Sequence, residues 1–523
     1  MVALSVRSFR ALARSTETGI AWIVGILMKR FLQRCPMRML GFAAAVLAAN
    51  AQAQHFDFTD VSVEAGVDVL HATGESPFLS FLNAGGAAED FDRDGWVDIF
   101  VLGGGGAPDR LFINNRDGTF TDQASIWGVD LTQHSFGASA ADYNGDGWID
   151  IFVTSYGPGT SGPAPMQHKL YQNNGPNTEG QCTFTNTANA AGVAMLLRDN
   201  FLNGTGSGWG DIDLDGDLDL SVSAYNNPSP GNRVFLNNGD GSFTDSTAAI
   251  GLEFNRVQGF LPAWVDFNGD RYPEYMLIGD TGSSQFHVNN GPDAEGVLSF
   301  TEIEEVGDAF NNAMGFAAGD VNNDGLLDMY VSGSYYPFID GPGNQLMIQQ
   351  PDGSFVDVAT EPGVLNGGWA WGVLLVDLDH DGLKDVLSTN GFVPQWVGEQ
   401  TYVWKNMGDL VFEETAIESG IDHFFMGRGA IDLDYDNDGD QDIAIFSSSG
   451  PFRLYRNNLI SPDQPTPPGA NRLRVNLETS ASTRPAPNGI GSLVTIGTPT
   501  GSFIESVDNP VSPRSTAQLG PHL

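Results

Sequence analysis

The sequence predicts an all-β chain: a seven-bladed β-propeller with calcium-binding loops, followed by a small β module. Three observations carry that prediction. An acidic nine-residue motif recurs seven times, its first and last copies starting at residues 90 and 434, a mean spacing of about 57 residues. The 65 glycines among 523 residues, beside 41% hydrophobic and only 17% charged residues, call for many tight turns around ample apolar core and exclude an all-helical fold. Finally, a strand unit missing from the seventh repeat stands alone in front of the first. Charge narrows the function classes. The 24 basic against 65 acidic residues and the formal charge of −41 argue against a nucleic-acid binder or a polyanion-binding face, because phosphate contacts need clustered Lys and Arg.

Residues 1–53 have the opposite charge to the rest: Arg7, Arg10, Arg14, Lys29, Arg30, Arg34 and Arg38 against the single acid Glu17. The apolar run Met39 to Ala49, then Ala51-Gln52-Ala53, reads as a signal peptide cleaved before Gln54. A charged lead of some 36 residues is longer than such a signal uses, and Met28 or Met37 would each start an ordinary one. Gly19–Leu27 is too short to span a bilayer needing about 20 apolar residues. Secretion, to the periplasm or beyond the cell, is therefore expected. The exported chain keeps Cys182 alone and can form no internal disulfide, so another cross-link is expected; Cys182 reads as a small buried residue.

The seven motifs are Asp90-Phe-Asp92-Arg-Asp94-Gly95-Trp96-Val-Asp98, Asp142-Tyr-Asn144-Gly-Asp146-Gly147-Trp148-Ile-Asp150, Asp211-Ile-Asp213-Leu-Asp215-Gly216-Asp217-Leu-Asp219, Asp266-Phe-Asn268-Gly-Asp270-Arg271-Tyr272-Pro-Glu274, Asp320-Val-Asn322-Asn-Asp324-Gly325-Leu326-Leu-Asp328, Asp377-Leu-Asp379-His-Asp381-Gly382-Leu383-Lys-Asp385 and Asp434-Tyr-Asp436-Asn-Asp438-Gly439-Asp440-Gln-Asp442. Each runs into a continuous apolar stretch such as Ile99 to Leu102 or Ile151 to Val153, the pattern of a strand buried on both faces, as in stacked blades. A second strand follows, ending in paired Asn and an Asp-Gly hairpin turn, as at Asn114-Asn115-Arg-Asp117-Gly118 and Asn237-Asn238-Gly-Asp240-Gly241. Six repeats close with a Phe-Thr-Asp type strand. The seventh stops at Asn457-Asn458, whereas Phe58-Thr-Asp60 sits just behind the signal, so the N-terminus is expected to supply the last strand and leave no free edge.

One such motif has a plain reading as a turn, since Asp and Asn cap their own backbone and Gly accepts positive φ. Seven copies with a carboxylate always at the ninth position exceed what a turn needs. Calcium takes six to eight oxygens, which the first, third, fifth and ninth side chains and the seventh backbone carbonyl supply, that is Trp96, Trp148, Asp217, Tyr272, Leu326, Leu383 and Asp440 for the carbonyls. The twelfth-position Glu and flanking helices of an EF-hand are absent. Up to seven structural calcium ions are expected, offsetting the repulsion of 25 loop carboxylates; an ion bound only by the folded state at 1,000 times its Kd adds about 4 kcal/mol. The fourth loop departs twice, with Arg271 in place of Gly and Glu274 in place of Asp, and is expected to be weakest.

These loops, with continuations such as Leu111-Phe-Ile-Asn114-Asn115-Arg-Asp117-Gly118-Thr-Phe120-Thr-Asp122, resemble FG-GAP/VCBS repeats, the repeats of the integrin α-subunit propeller. The chain from about 56 to 523 resembles the ASPIC/UnbV family of secreted, cartilage-acidic-protein-like proteins, its C-terminal part through Asn471-Arg-Leu-Arg474-Val-Asn-Leu and Asn488-Gly-Ile-Gly-Ser-Leu-Val-Thr-Ile496. The residues give a 1–53 signal peptide, a 54–460 propeller and a 461–469 Pro-rich linker, and the resemblance implies a partial ASPIC/UnbV domain over 470–523, a module that in the family continues beyond Leu523.

Signatures of other chemistry are missing: there is no Gly-x-Ser-x-Gly, Gly-x-x-x-x-Gly-Lys, His-Glu-x-x-His or Cys-x-x-Cys. The eight His read as surface or structural, and no catalytic residue or organic cofactor is assigned. Tyr156, Tyr225, Tyr335, Tyr336, Phe392 and Trp396 fall in Gly- and Pro-rich loops, which cluster on one propeller face and can line a ligand surface or simply pack those loops. The expected function, resting partly on the resemblance, is a secreted, monomeric recognition or adhesion module for an extracellular protein or glycan. The alternative is a calcium-dependent carbohydrate-active enzyme, a lyase or hydrolase, acting on the loop face or in the C-terminal module.

Overall fold

The computed structural model describes residues 55–71, 84–155, 167–195, 204–225, 231–254, 257–335, 341–392, 398–448, 450–460, 486–497 and 502–507. The expected signal (1–53), the linker (461–469), the stretch 471–477 and Tyr156, Tyr336 and Trp396 lie outside those residues. Among the described residues no helix is long and apolar enough to cross a membrane.

Seven four-stranded antiparallel sheets follow one another along the chain. The first runs outward as Gly86–Glu89, Asp98–Val101, Arg110–Asn114 and Phe120–Asp122. The next five occupy 135–186, 206–245, 259–302, 313–357 and 370–414. Each innermost strand touches those of both neighbours, and the circle closes where Gly86–Glu89 meets Gly427–Leu433. Why the second strands read as unbroken apolar runs is then plain: Asp98–Val101, Asp150–Ser155, Asp219–Ser223, Glu274–Gly279, Asp328–Gly333, Asp385–Asn390 and Asp442–Ser447 are buried at every position, because both of their faces meet a neighbouring blade.

The seventh sheet takes its outermost strand from the N-terminus, as expected. Phe58–Asp60 pairs antiparallel with Arg453–Asn457, with Phe58 opposite Asn457 and Asp60 opposite Tyr455. Arg453 fastens the joint from the side, with Nε 3.2 Å from Asp60 Oδ2 and an NH1 2.6 Å from Asp68 Oδ1. The apolar core is correspondingly a ring of wedges between blades. Phe446 and Ala444 of the last blade pack on Val97 and Ile99 of the first, Leu111 and Phe100 on Ile151 and Tyr171, Trp264 and Tyr275 on Ile212 and Val234.

Beyond the propeller, Leu493–Gly497 and Ser502–Ser506 form a β-hairpin preceded by a 3-10 turn, Pro487–Gly489. Leu493 and Ile504 pack against the cluster of Val265, Phe267 and Leu327, while Ala486 and Ile490 meet the cluster containing Tyr143, Trp209 and Leu218. Both clusters reach the acidic-loop end of the blades.

Candidate metal centres

Every acidic motif joins an innermost strand to the second strand of its blade, so all seven loops lie at one end of the ring. Each loop bends twice through left-handed backbone. The sixth residue has φ of 92° at Gly95, 88° at Gly147, 98° at Gly216, 90° at Gly325, 87° at Gly382 and 99° at Gly439, and Arg271 adopts 81° in the same place. The fourth residue is left-handed too, at 60° for Arg93 and Leu214, 56° for Asn323, 58° for His380 and 54° for Asn437. That second bend is invisible in the motif, because five of the seven loops fill it with a non-Gly residue.

The carboxylates hold this shape. Asp90 Oδ1 accepts the Asp94 N–H (2.9 Å) and Oδ2 the Gly95 N–H (2.8 Å). The bond from the sixth N–H to the first carboxylate recurs in all the other loops, at Asp142, Asp211, Asp266, Asp320, Asp377 and Asp434. The seventh residues Trp96, Trp148, Asp217, Tyr272, Leu326, Leu383 and Asp440 donate their N–H to the fifth carboxylates Asp94, Asp146, Asp215, Asp270, Asp324, Asp381 and Asp438.

The ninth carboxylate has an architectural task that the motif alone does not disclose. Asp98 Oδ2 accepts the N–H of Phe91 (3.0 Å) and Oδ1 that of Asn114 (2.8 Å), and Asp150, Asp219, Asp328, Asp385 and Asp442 repeat both bonds in their own blades. Glu274 keeps the first, to Phe267 N–H. The side-chain amide of the first paired Asn then crosses between blades. Asn173 Nδ2 donates to Phe91 O in the preceding loop (2.9 Å) and to Ile149 O in its own (3.2 Å). Asn114, Asn237, Asn289, Asn406 and Asn457 do the same, and Gln349 reaches Phe267 O. The Asn114 bond to Tyr435 O (2.8 Å) closes this circle from first blade to last. Paired Asn is conspicuous in the sequence; its reach into the neighbouring loop is not.

Four of these clusters could hold a metal ion. Oxygens of Asp90, Asp92 and Asp94 lie within 4.8 Å of one another, as do those of Asp211, Asp213 and Asp219, of Asp377, Asp379 and Asp385, and of Asp434, Asp436 and Asp442. The donors are all hard oxygens, the set calcium prefers. Asp211 Oδ1 is buried without a hydrogen-bond partner, and a cation would satisfy it. Burial, reinforced by neighbouring carboxylates, pushes Asp211 and Asp377 up to about 7 and Asp98 up to about 8, and raises Asp219, Asp385 and Asp442 far above the carboxylate range. The remaining loops carry Asn in third place, and there its amide turns inward: Asn144 and Asn322 donate to Asp146 and Asp324 (both 3.0 Å), and Asn268 to Glu274 Oε1 (2.8 Å).

The other end of the ring carries a different feature. In five blades the innermost strand has a register shift where it begins, and the displaced residues include Phe136, Phe260, Met314, Trp371 and Arg428. A bulge re-aims a side chain, and these five line a cavity of ≈130 Å³ on the ring axis. Arg428 is buried, its guanidinium carbon 4.2 Å from the Trp371 ring centroid, and its NH1 donates to Gly391 O and Gly427 O. Of the loop aromatics, Tyr225 packs on Phe260 (5.1 Å between centroids) and hydrogen-bonds Asp280, while Phe392 stacks on Trp369 (4.5 Å). Nothing in the sequence marks a bulge, so these five residues were not legible there.

Cys182 is buried and burial raises its pKa; the His residues His71, His168, His287, His380 and His423 are buried as well.

Comparison with known proteins agrees with the repeat reading. The FG-GAP-like repeat family matches residues 90–153, 211–277 and 266–331. Cartilage acidic protein 1 of Homo sapiens is 24% identical over 323 residues, covering 59% of this chain and 47% of that protein; the Xenopus tropicalis protein of the same name is 40% identical over 92 residues, 17% of this chain and 12% of that one. The chain thus spans about half the length of the human relative or less. Among solved structures, BBS1N in complex with ARL6DN, soaked with lead, is similar at a TM-score of 0.40 and 9% identity, covering 76% of this chain and 98% of that one. Likeness at that level carries no weight for fold or partner.

Proposed function

We propose, for a chain that carries FG-GAP-like repeats and shares homology with cartilage acidic protein 1, that it is a secreted recognition or adhesion module for an extracellular protein or glycan, its ring held by calcium. The observation that carries the reading is a division between the two ends of the ring. At one end the repeated acids are committed to loops, whose convergent oxygens, Asp211, Asp213 and Asp219 among them, are suited to a cation. Asp215 and the Asp217 carbonyl would complete that set, and the ion would supply the positive charge that buried carboxylates lack. At the other end the bulged residues line a cavity of apolar and aromatic side chains beside one buried guanidinium, a combination suited to a sugar ring or an apolar side chain beside an anionic group.

The test is binding of the chain to glycan and protein arrays, with Trp371→Ala and Arg428→Gln as comparisons. The reading expects ligands that both variants lose while their calcium-dependent melting is retained. Ligands bound equally by both variants would place recognition elsewhere, and turnover of a glycan would replace the module with an enzyme.

A further inference from the structure

We propose that the sixth acidic loop carries its own cation: the Lys405 ammonium, seated among Asp379, Asp381 and Asp385, stands where a calcium ion would bind and keeps this loop metal-free while others fill. The inference rests on the calcium reading for the other loops.

The position is comparable across all seven blades. The residue just before the inter-blade Asn or Gln is Ile113, Gln172, Leu236, Val288, Ile348, Lys405 and Arg456 in blade order. Five blades place no charge there. In the sixth, Lys405 Nζ donates to Asp379 Oδ2, and Asp381 and Asp385 are near enough to favour its charged form. Its side chain is only 9% exposed, and the ammonium lies 5.5 Å from the Phe56 ring centroid. Cations elsewhere differ in placement. Arg456 donates its Nε–H to Asn458 Oδ1 (3.2 Å) while lying near Asp436, and Arg116, which reaches Asp94 Oδ2 at 2.6 Å, is 57% exposed, whereas Lys405 is almost wholly enclosed.

Base composition sharpens the point. Beyond residue 53 the chain has only three lysines, and two of them serve this loop. Lys384, its eighth residue, pairs with Glu505 of the C-terminal hairpin at 2.5 Å and lies near Asp377. A tethered ammonium is present at a high effective concentration that no dilution lowers. An incoming ion would have to displace it and leave it buried without its carboxylate, which is strongly disfavoured.

Two measurements on the whole chain decide the matter. Native mass spectrometry in calcium should count one more ion in Lys405→Met, which keeps the aliphatic stem, than in the unsubstituted protein. In EDTA, Lys405→Met should melt several degrees lower, and adding Asp379→Asn should restore most of that loss. Equal, non-zero ion counts overturn the inference, as does a melting loss that Asp379→Asn leaves untouched. If neither protein binds calcium, the calcium reading has failed, and the melting cycle alone judges whether Lys405 is the loop's cation.

Discussion

Arg271 shows how a single residue can depart from a motif and still obey its geometry. It adopts φ 81° and donates its N–H to Asp266 as the glycines do at their loops, so the strain of a side chain in left-handed backbone is present whether or not an ion is bound. Arg271→Gly is therefore expected to raise stability by about 1–2 kcal/mol in EDTA and in calcium alike. Urea unfolding in both buffers checks this, and a gain confined to calcium would contradict it. The low affinity expected of this loop from Arg271 and Glu274 gains a further source in the bond that ties Asn268 to Glu274. The inter-blade amides give a second test at this scale. Asn237→Ala leaves Tyr143 O and Leu218 O without their donor, at a cost of about 2 kcal/mol or more, whereas Asn238→Ala, on the exposed turn, should be nearly neutral. The acidic positions were legible because ligand-type residues recur at fixed spacing. The Asn role was not, since its acceptors are backbone carbonyls of another blade and leave no trace in side-chain identity.

At the scale of the element, the loops and the closing strand were both readable, for different reasons. Phe58–Asp60 betrayed itself by a count: seven acidic loops but only six internal Phe-Thr-Asp type strands. Deleting residues 56–67 is expected to expose the edge of Arg453–Asn457 and give aggregates, which size-exclusion chromatography would detect; a soluble monomer would contradict closure by that strand. The bulges around the axial cavity stayed hidden because the shift falls at Gly137, Gly315, Gly372 and Gly429 or their neighbours, glycines that elsewhere in this chain mark ordinary turns. The loops also set a pH dependence. Burial and mutual repulsion hold Asp211 at about 7 and Asp98 and Glu274 at about 8 in the ion-free fold, above their unfolded values near 4. The folded state therefore keeps protons that the unfolded chain releases, and stability in EDTA should fall as pH rises from about 4 to about 8. Calcium requires the ionised carboxylates, so the stabilisation it adds should grow over the same range. Melting temperatures at pH 5 and pH 8, with and without chelator, test both signs.

For the whole molecule, the ring distributes its core into wedges between blades and returns its first strand to its last sheet, so no blade has an independent interior. Such a ring has a single cysteine, Cys182, among its described residues and therefore no disulfide between them. At the scale of the ring, calcium in acidic loops other than the sixth is what is proposed to hold the circle. The most direct test is thermal unfolding of the chain in EDTA, in excess calcium and in excess magnesium. A steep loss of melting temperature is expected in EDTA, with full recovery in calcium and little in magnesium, since flexible Asp-rich loops suit the larger ion. A melting temperature unchanged by EDTA would contradict it.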